Sequence, residues 1–97
     1  MPFLDPDDFA PTGLDVRQLL VSHPSSTFFM TAKGDELDTV FIHDGDILVV
    51  DRSIEPVKGD IAVVAEDGQL AVRVINDLEQ LDVWGTVAWS ITQHCKR

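Results

Sequence analysis

The stretch from Lys33 to Ser53, KGDELDTVFIHDGDILVVDRS, constrains the fold of this chain more than any other. Gly34-Asp35 and Asp44-Gly45-Asp46 are turn signals, because Gly accepts positive φ and Asp bonds its own backbone. Ile47-Leu48-Val49-Val50 follows at once, a short apolar run rich in β-branching that predicts a fully buried strand. Taken with the signals along the rest of the chain, this predicts one short helix and about five or six strands.

The other segments agree. Asp15 to His23 predicts a short helix, with Asp15 as N-cap, Gln18 three residues on as in a capping box, and Leu14 and Leu19 as a hydrophobic staple. Val16, Leu19, Leu20 and His23 share one face of it. Pro24 stops the helix, and His23 before it is expected to cap or pack there rather than to do chemistry. Ser26 to Ala32 predicts a strand, and Ile47 to Asp51 a second. Ser53 to Gly59 is a loop and Asp60 to Glu66 a third strand. Asp67-Gly68 is a two-residue hairpin signal, with Gln69 to Ile75 as the return strand. Asn76 to Glu79 is a polar turn. Leu81 to Thr92 predicts a long strand, broken or bent at Gly85. Trp84 and Trp89 lie five apart on it, so they face opposite sides unless Gly85 marks a bulge. Either one is core and the other an interface anchor, or both are largely buried. Residues 1–13 hold Pro2, Pro6, Pro11, Asp5, Asp7 and Asp8 and predict an extended acidic arm, with Phe3 and Phe9 able to dock on a surface. Residues 14–97 form the domain.

Seventeen acids oppose seven Lys and Arg, a net charge of −10. Phosphate backbones and anionic membranes both demand basic surfaces, so direct nucleic-acid or membrane binding is not expected. A protein partner with a basic surface is. The single cysteine, Cys95, cannot make an internal disulfide, no stretch reaches the length of a membrane span, and the acidic N-terminus lacks a signal peptide's basic region. These features fit a cytoplasmic protein. No cofactor or metal is expected. His43, Asp44 and Asp46 are more economically a turn, His94 beside Cys95 lacks the paired spacing of a zinc site, and no nucleotide-binding or nucleophile-elbow motif is present.

The block IHDGDILVVDRS, Ile42 to Ser53, followed by GDI at Gly59 to Ile61, resembles the UmuD branch of the LexA-like self-cleaving peptidases. The resemblance runs from about Leu14 to Ile91. It implies the compact, mainly β fold of the LexA/UmuD peptidase domain, built of twisted antiparallel sheets with one short N-terminal helix. Members of that family use a Ser nucleophile and a neutral Lys base. The serine lies in an SGDSM-like turn, whose slot is filled here by KGDEL, Lys33 to Leu37, with Glu36 at the nucleophile's place. The lysine lies in a TVKR-like strand, filled here by Ala71 to Val74, with Arg73 at the base's place. An attacking carboxylate would give a reactive anhydride, and Arg stays protonated at any accessible pH. The expectation is a pseudo-peptidase with no catalytic residue. Glu36 and Arg73 either meet as an ion pair or both point to solvent.

Three departures from the pattern bear on function. The N-terminal arm has no Cys-Gly or Ala-Gly bond of the kind the family cuts. The arm is short, like a processed form. The segment between Ile75 and Leu81 is abbreviated ahead of Leu81 to Gly85, LDVWG, which keeps the start of the family's last strand. The resemblance implies a homodimer that serves as accessory subunit to a Y-family translesion DNA polymerase in the SOS response, in a family whose full-length members are cut with the help of a RecA filament. A regulator forming mixed dimers with an active UmuD- or LexA-like protein is the alternative. With no helix-turn-helix ahead of the domain, it would act through protein contacts. Residual peptidase activity through Ser26 or Thr39 is the third reading.

Overall fold

The computed structural model describes residues 15–77, 81–95 and 97. Helix α1 (Val16–Leu20) and a 3₁₀ turn (Pro24–Ser26) lead into β1 (Thr27–Thr31). A second 3₁₀ turn (Asp38–Val40) precedes β2 (Ile47–Asp51), β3 (Ile61–Glu66), β4 (Gln69–Val74) and β5 (Val83–Ile91). The five strands make one sheet in the order β1-β2-β5-β3-β4, and every neighbouring pair is antiparallel.

The predicted strands all form, each within two residues of its expected ends. The hairpin at Asp67-Gly68 has φ of 51° and 79°, and two positive values in succession match the twist of the flanking strands. The long strand β5 carries the sheet's irregularities. Val49 lies opposite Trp89 and Val50 opposite Val87, leaving Ala88 as an extra residue. On the other edge Val63 lies opposite Gly85 and Val64 opposite Val83, leaving Trp84 extra. Each is a bulge that bends the strand and increases its twist. Gly85 answers a separate need: a Cβ there would lie 2.7 Å from Val50 Cγ1 and 3.3 Å from Arg52 Cγ. The glycine lets β2 close against β5.

Strand alternation sorts the core into two groups. Ala32, Ile42, Leu48, Val50 and Val63 form one, with Met30, Leu37, Val72, Trp84 and Val87 packed on it. Ala62, Val64 and Ile75 form the other, with Ala71, Leu81 and Val83 around them. Each fully buried Val, Leu or Ile contributes about 1.5–3 kcal/mol.

Helix α1 is shorter than the predicted Asp15–His23. Asp15 caps it, accepting from the N–H groups of Arg17 and Gln18, but the last helical bond runs from Val21 N to Arg17 O. Val16 and Leu19 stay exposed, so the apolar stripe finds little to bury it. A helix this short without tertiary burial cannot be propagated by capping alone. Leu14, the arm of residues 1–13 with Phe3 and Phe9, and part of the polar turn at 76–79 lie outside the described residues.

Replacing Gly85 by Ala is expected to destabilise the fold by about 1–3 kcal/mol through overpacking against Val50. Urea unfolding would show this as a lowered midpoint with an unchanged slope.

Candidate functional site

The end of β1, the loop after it as far as Leu37, and strand β4 border a cavity of about 420 Å³. Its walls include Thr31, Lys33, Glu36, Leu37, Leu70 and Arg73. Strands β1 and β4 are the two outer strands of the sheet, so curvature of the sheet brings its opposite edges to one cleft. The two sequence positions singled out above, 36 and 73, therefore line the same space.

They do not pair. Arg73 Nε donates to Glu66 Oε2 at 3.1 Å and Arg73 Nη2 to Glu66 Oε1 at 2.9 Å, a two-bond fork, while Nη1 donates to Val72 O at 3.0 Å. Alternation along the hairpin explains the choice. Arg73 lies opposite Ala62, on the face that carries Val64, Ala71 and Glu66, whereas Val72 and Val63 face the Ile42–Leu48 side. The guanidinium thus belongs with Glu66. Glu36 is exposed and, among the described residues, has no ion-pair partner.

The loop that carries Glu36 is fixed by carboxylates acting on backbone. Asp44 Oδ1 accepts from Gly34 N at 2.7 Å and Asp46 Oδ2 from His43 N at 2.8 Å. Asp46 is buried, which pushes its carboxyl up, but the His43 N–H and the Thr92 hydroxyl outweigh this and hold it below the usual range. His43 Nδ1 lies 2.8 Å from Asp38 Oδ1. That contact, with the charges of Asp46 and Asp35 behind it, raises the imidazole above its ordinary value. The DGD segment is a turn, as expected, and the described residues hold no cluster suited to a metal.

A second polar group centres on Asp51, a buried carboxylate at the end of β2. Oδ1 accepts from Ser53 Oγ at 2.6 Å, Ser53 N at 2.9 Å and Ser26 Oγ at 3.1 Å. Oδ2 lies 2.6 Å from His23 Nδ1. Burial alone would raise this carboxyl, but the bonds from Ser53, His23 and Ser26 together hold it far below the usual range. The pattern Asp51-Arg52-Ser53 is an Asx-turn signal that sequence reasoning passed over, and His23 packs on Asp51 rather than on the helix. The order of groups is not that of a nucleophile triad. There a histidine stands between serine and carboxylate, whereas here the carboxylate stands between Ser26 and His23 and offers the serine no effective base. Thr39, the other alternative nucleophile, lies exposed in the second 3₁₀ turn.

Trp84 is half-buried on the core, edge-on to Phe28 at 5.3 Å, with the Arg52 guanidinium 4.3 Å above its ring. Trp89 is 43% exposed. His94 and Cys95 are both exposed.

Two outcomes are expected. A double-mutant cycle should couple Arg73 to Glu66 by up to about 1 kcal/mol, the range of part-exposed pairs, and Arg73 to Glu36 by nothing measurable. Asp51 has a folded pKa below its unfolded value of about 3.9. Its contribution is therefore complete above that pH and drains away as the pH falls toward the folded value. Asp51→Asn should cost about 1–3 kcal/mol at neutral pH and flatten the acid limb of unfolding curves taken from pH 6 downward.

Comparison with known proteins places this geometry in context. Residues 4–84 match the family model described as Peptidase S24-like. Protein ImpA of Escherichia coli is 38% identical over 66 residues, 68% of this chain and 46% of that protein. Protein SamA of Salmonella typhimurium is 35% identical over 66 residues, 68% of this chain and 47% of its own length. The chain thus spans less than half the length of these curated relatives. Protein MucA of Escherichia coli is 29% identical over 102 aligned positions, 84% of this chain and 70% of MucA. That alignment is longer than the chain's 97 residues, so MucA has residues within it that have no counterpart here. With most of its length inside the family match and UmuD-type relatives at this identity, the chain is a UmuD-like member of the Peptidase S24-like family.

Proposed function

We propose that this chain is a UmuD-like protein unable to cut itself, and that it works as an accessory subunit of a Y-family translesion DNA polymerase in the SOS response. The observation that carries the reading is the content of the cleft. Positions 36 and 73 line one cavity, yet they hold a carboxylate and a guanidinium, and the guanidinium is bonded to Glu66. A self-cleaving site needs a hydroxyl to attack and an amine to take its proton. Glu36 supplies no hydroxyl, and Arg73 remains protonated at any accessible pH. What remains for such a scaffold is binding. The net charge of −10 favours a basic protein partner over nucleic acid, and a DNA-binding polymerase presents such a surface.

The apolar face shared by β1, β2 and β5 supports self-association. Phe29, Ile47, Trp89 and Ile91 are exposed there, on strands whose partners put Phe29, Val49 and Trp89 in one row. The same face supports the second reading, a mixed dimer with an active UmuD- or LexA-like protein whose cleavage this chain alters.

The purified chain, followed by intact mass at raised pH with and without RecA filament, is expected to keep its full mass; any self-shortening overturns the loss of activity. Co-expression with the Y-family polymerase of the same host is expected to give a complex that copurifies. A clean failure, with dimer exchange into an active relative, would favour the second reading.

A further inference from the structure

The loop between β1 and β2 spends its geometry on one side chain. Phe41 closes the second 3₁₀ turn with φ 67° and ψ 24°, the left-handed region. Gly or Asn ordinarily stands there, because a side chain with a Cβ crowds the backbone. A bulky aromatic in that conformation is an outlier. It is held by three backbone bonds: Leu37 O accepts from Val40 N at 3.0 Å and Ile42 N at 3.2 Å, and Asp38 O accepts from Phe41 N at 3.0 Å. Ile42, the next residue, is buried in the core. The turn therefore cannot relax without pulling Ile42 out, and Phe41 is driven outward. Its side chain is 78% exposed, the most exposed of the large apolar residues among those described.

Its surroundings are acidic. Asp35, Glu36, Asp38 and Asp44 are exposed on this loop against one lysine, Lys33, while Asp46 is buried. Asp38, whose Oδ1 lies 2.8 Å from His43 Nδ1, stands on the turn that Phe41 closes. A lone exposed Phe needs no explanation. One held outward by a strained backbone, amid carboxylates, combines an apolar anchor with a charged rim, the arrangement of a binding hot spot.

We propose that Phe41 is the anchor of a docking surface that inserts into an apolar pocket with a basic rim on the polymerase subunit. This rests on the polymerase reading above, and it places the contact on the loop that bears Glu36 rather than on the face around Trp89. A DNA-binding enzyme carries the Lys and Arg that such a rim requires, and attraction between the two surfaces would weaken with salt.

The test uses the full chain and the purified Y-family polymerase of its host. Phe41→Gly removes the anchor and relieves the backbone, so its urea midpoint is expected to equal or exceed that of the unaltered chain. Its affinity for the polymerase is expected to fall about tenfold or more, and that of the unaltered chain to fall between low and high salt. Val57→Ala, which trims another exposed apolar side chain, is the control and is expected to bind the polymerase as the unaltered chain does. Binding of Phe41→Gly within twofold of the unaltered chain overturns the anchor while leaving the polymerase reading intact. So does a lowered urea midpoint, since Phe41 would then be supporting the fold. Failure of the unaltered chain to bind the polymerase overturns both.

Discussion

Among the described residues, the carboxylate of Asp51 ties together the segment before β1, through Ser26 and His23, and the turn after β2, through Ser53. The neighbouring contacts depend on the same corner. Arg52 N donates to Ser26 O at 2.9 Å, Arg52 Nε to Trp84 O at 2.9 Å, and buried Thr86, opposite Asp51 on β5, donates to Ile54 O at 2.8 Å. A buried charge is tolerated when its lone pairs are filled. Here the donors come from two stretches of chain, residues 23–26 and Ser53. The carboxylate thereby fixes where β1 begins and how the loop after β2 passes β5 on its way to β3.

Much of this was legible in the sequence, and the reasons differ by element. The strands announced themselves because burial demands apolar, β-branched runs and turns demand Gly and Asp. Asp67-Gly68 and the apolar run at Ile47 are instances. Helix α1 was legible at its start, where Asp15 caps it, but not at its end, because its length depends on packing that Val16 and Leu19 do not find. Gly85 was read as a bend. The bulge falls on Trp84 beside it, and the glycine serves the approach of Val50, a contact between strands distant in sequence. The Asp51 group escaped for the same reason: His23 and Asp51 are 28 residues apart, and only the local Asp-x-Ser turn could have hinted at it.

The candidate site divides in the same way. That positions 36 and 73 would share a cleft followed from the resemblance, and they do line one cavity. The partner of Arg73 did not follow, because it is set by which side of β4 a residue occupies. A pairing of side chains inferred from family position alone takes no account of strand alternation. Arg73 instead follows the pleat to Glu66, within its own hairpin.

The position of β1 at the border of the sheet has a consequence for the chain in concentrated solution. Its outer row of N–H and C=O groups meets no ladder among the described residues, and Phe28 and Phe29 are exposed beside that row. Borders of this composition invite another polypeptide to continue the sheet, and native proteins guard them with lysine, proline or a covering segment. β1, TFFMT, contains neither lysine nor proline. Mutual repulsion between strongly anionic molecules is one guard that the net charge of −10 supplies, and added salt would screen it away.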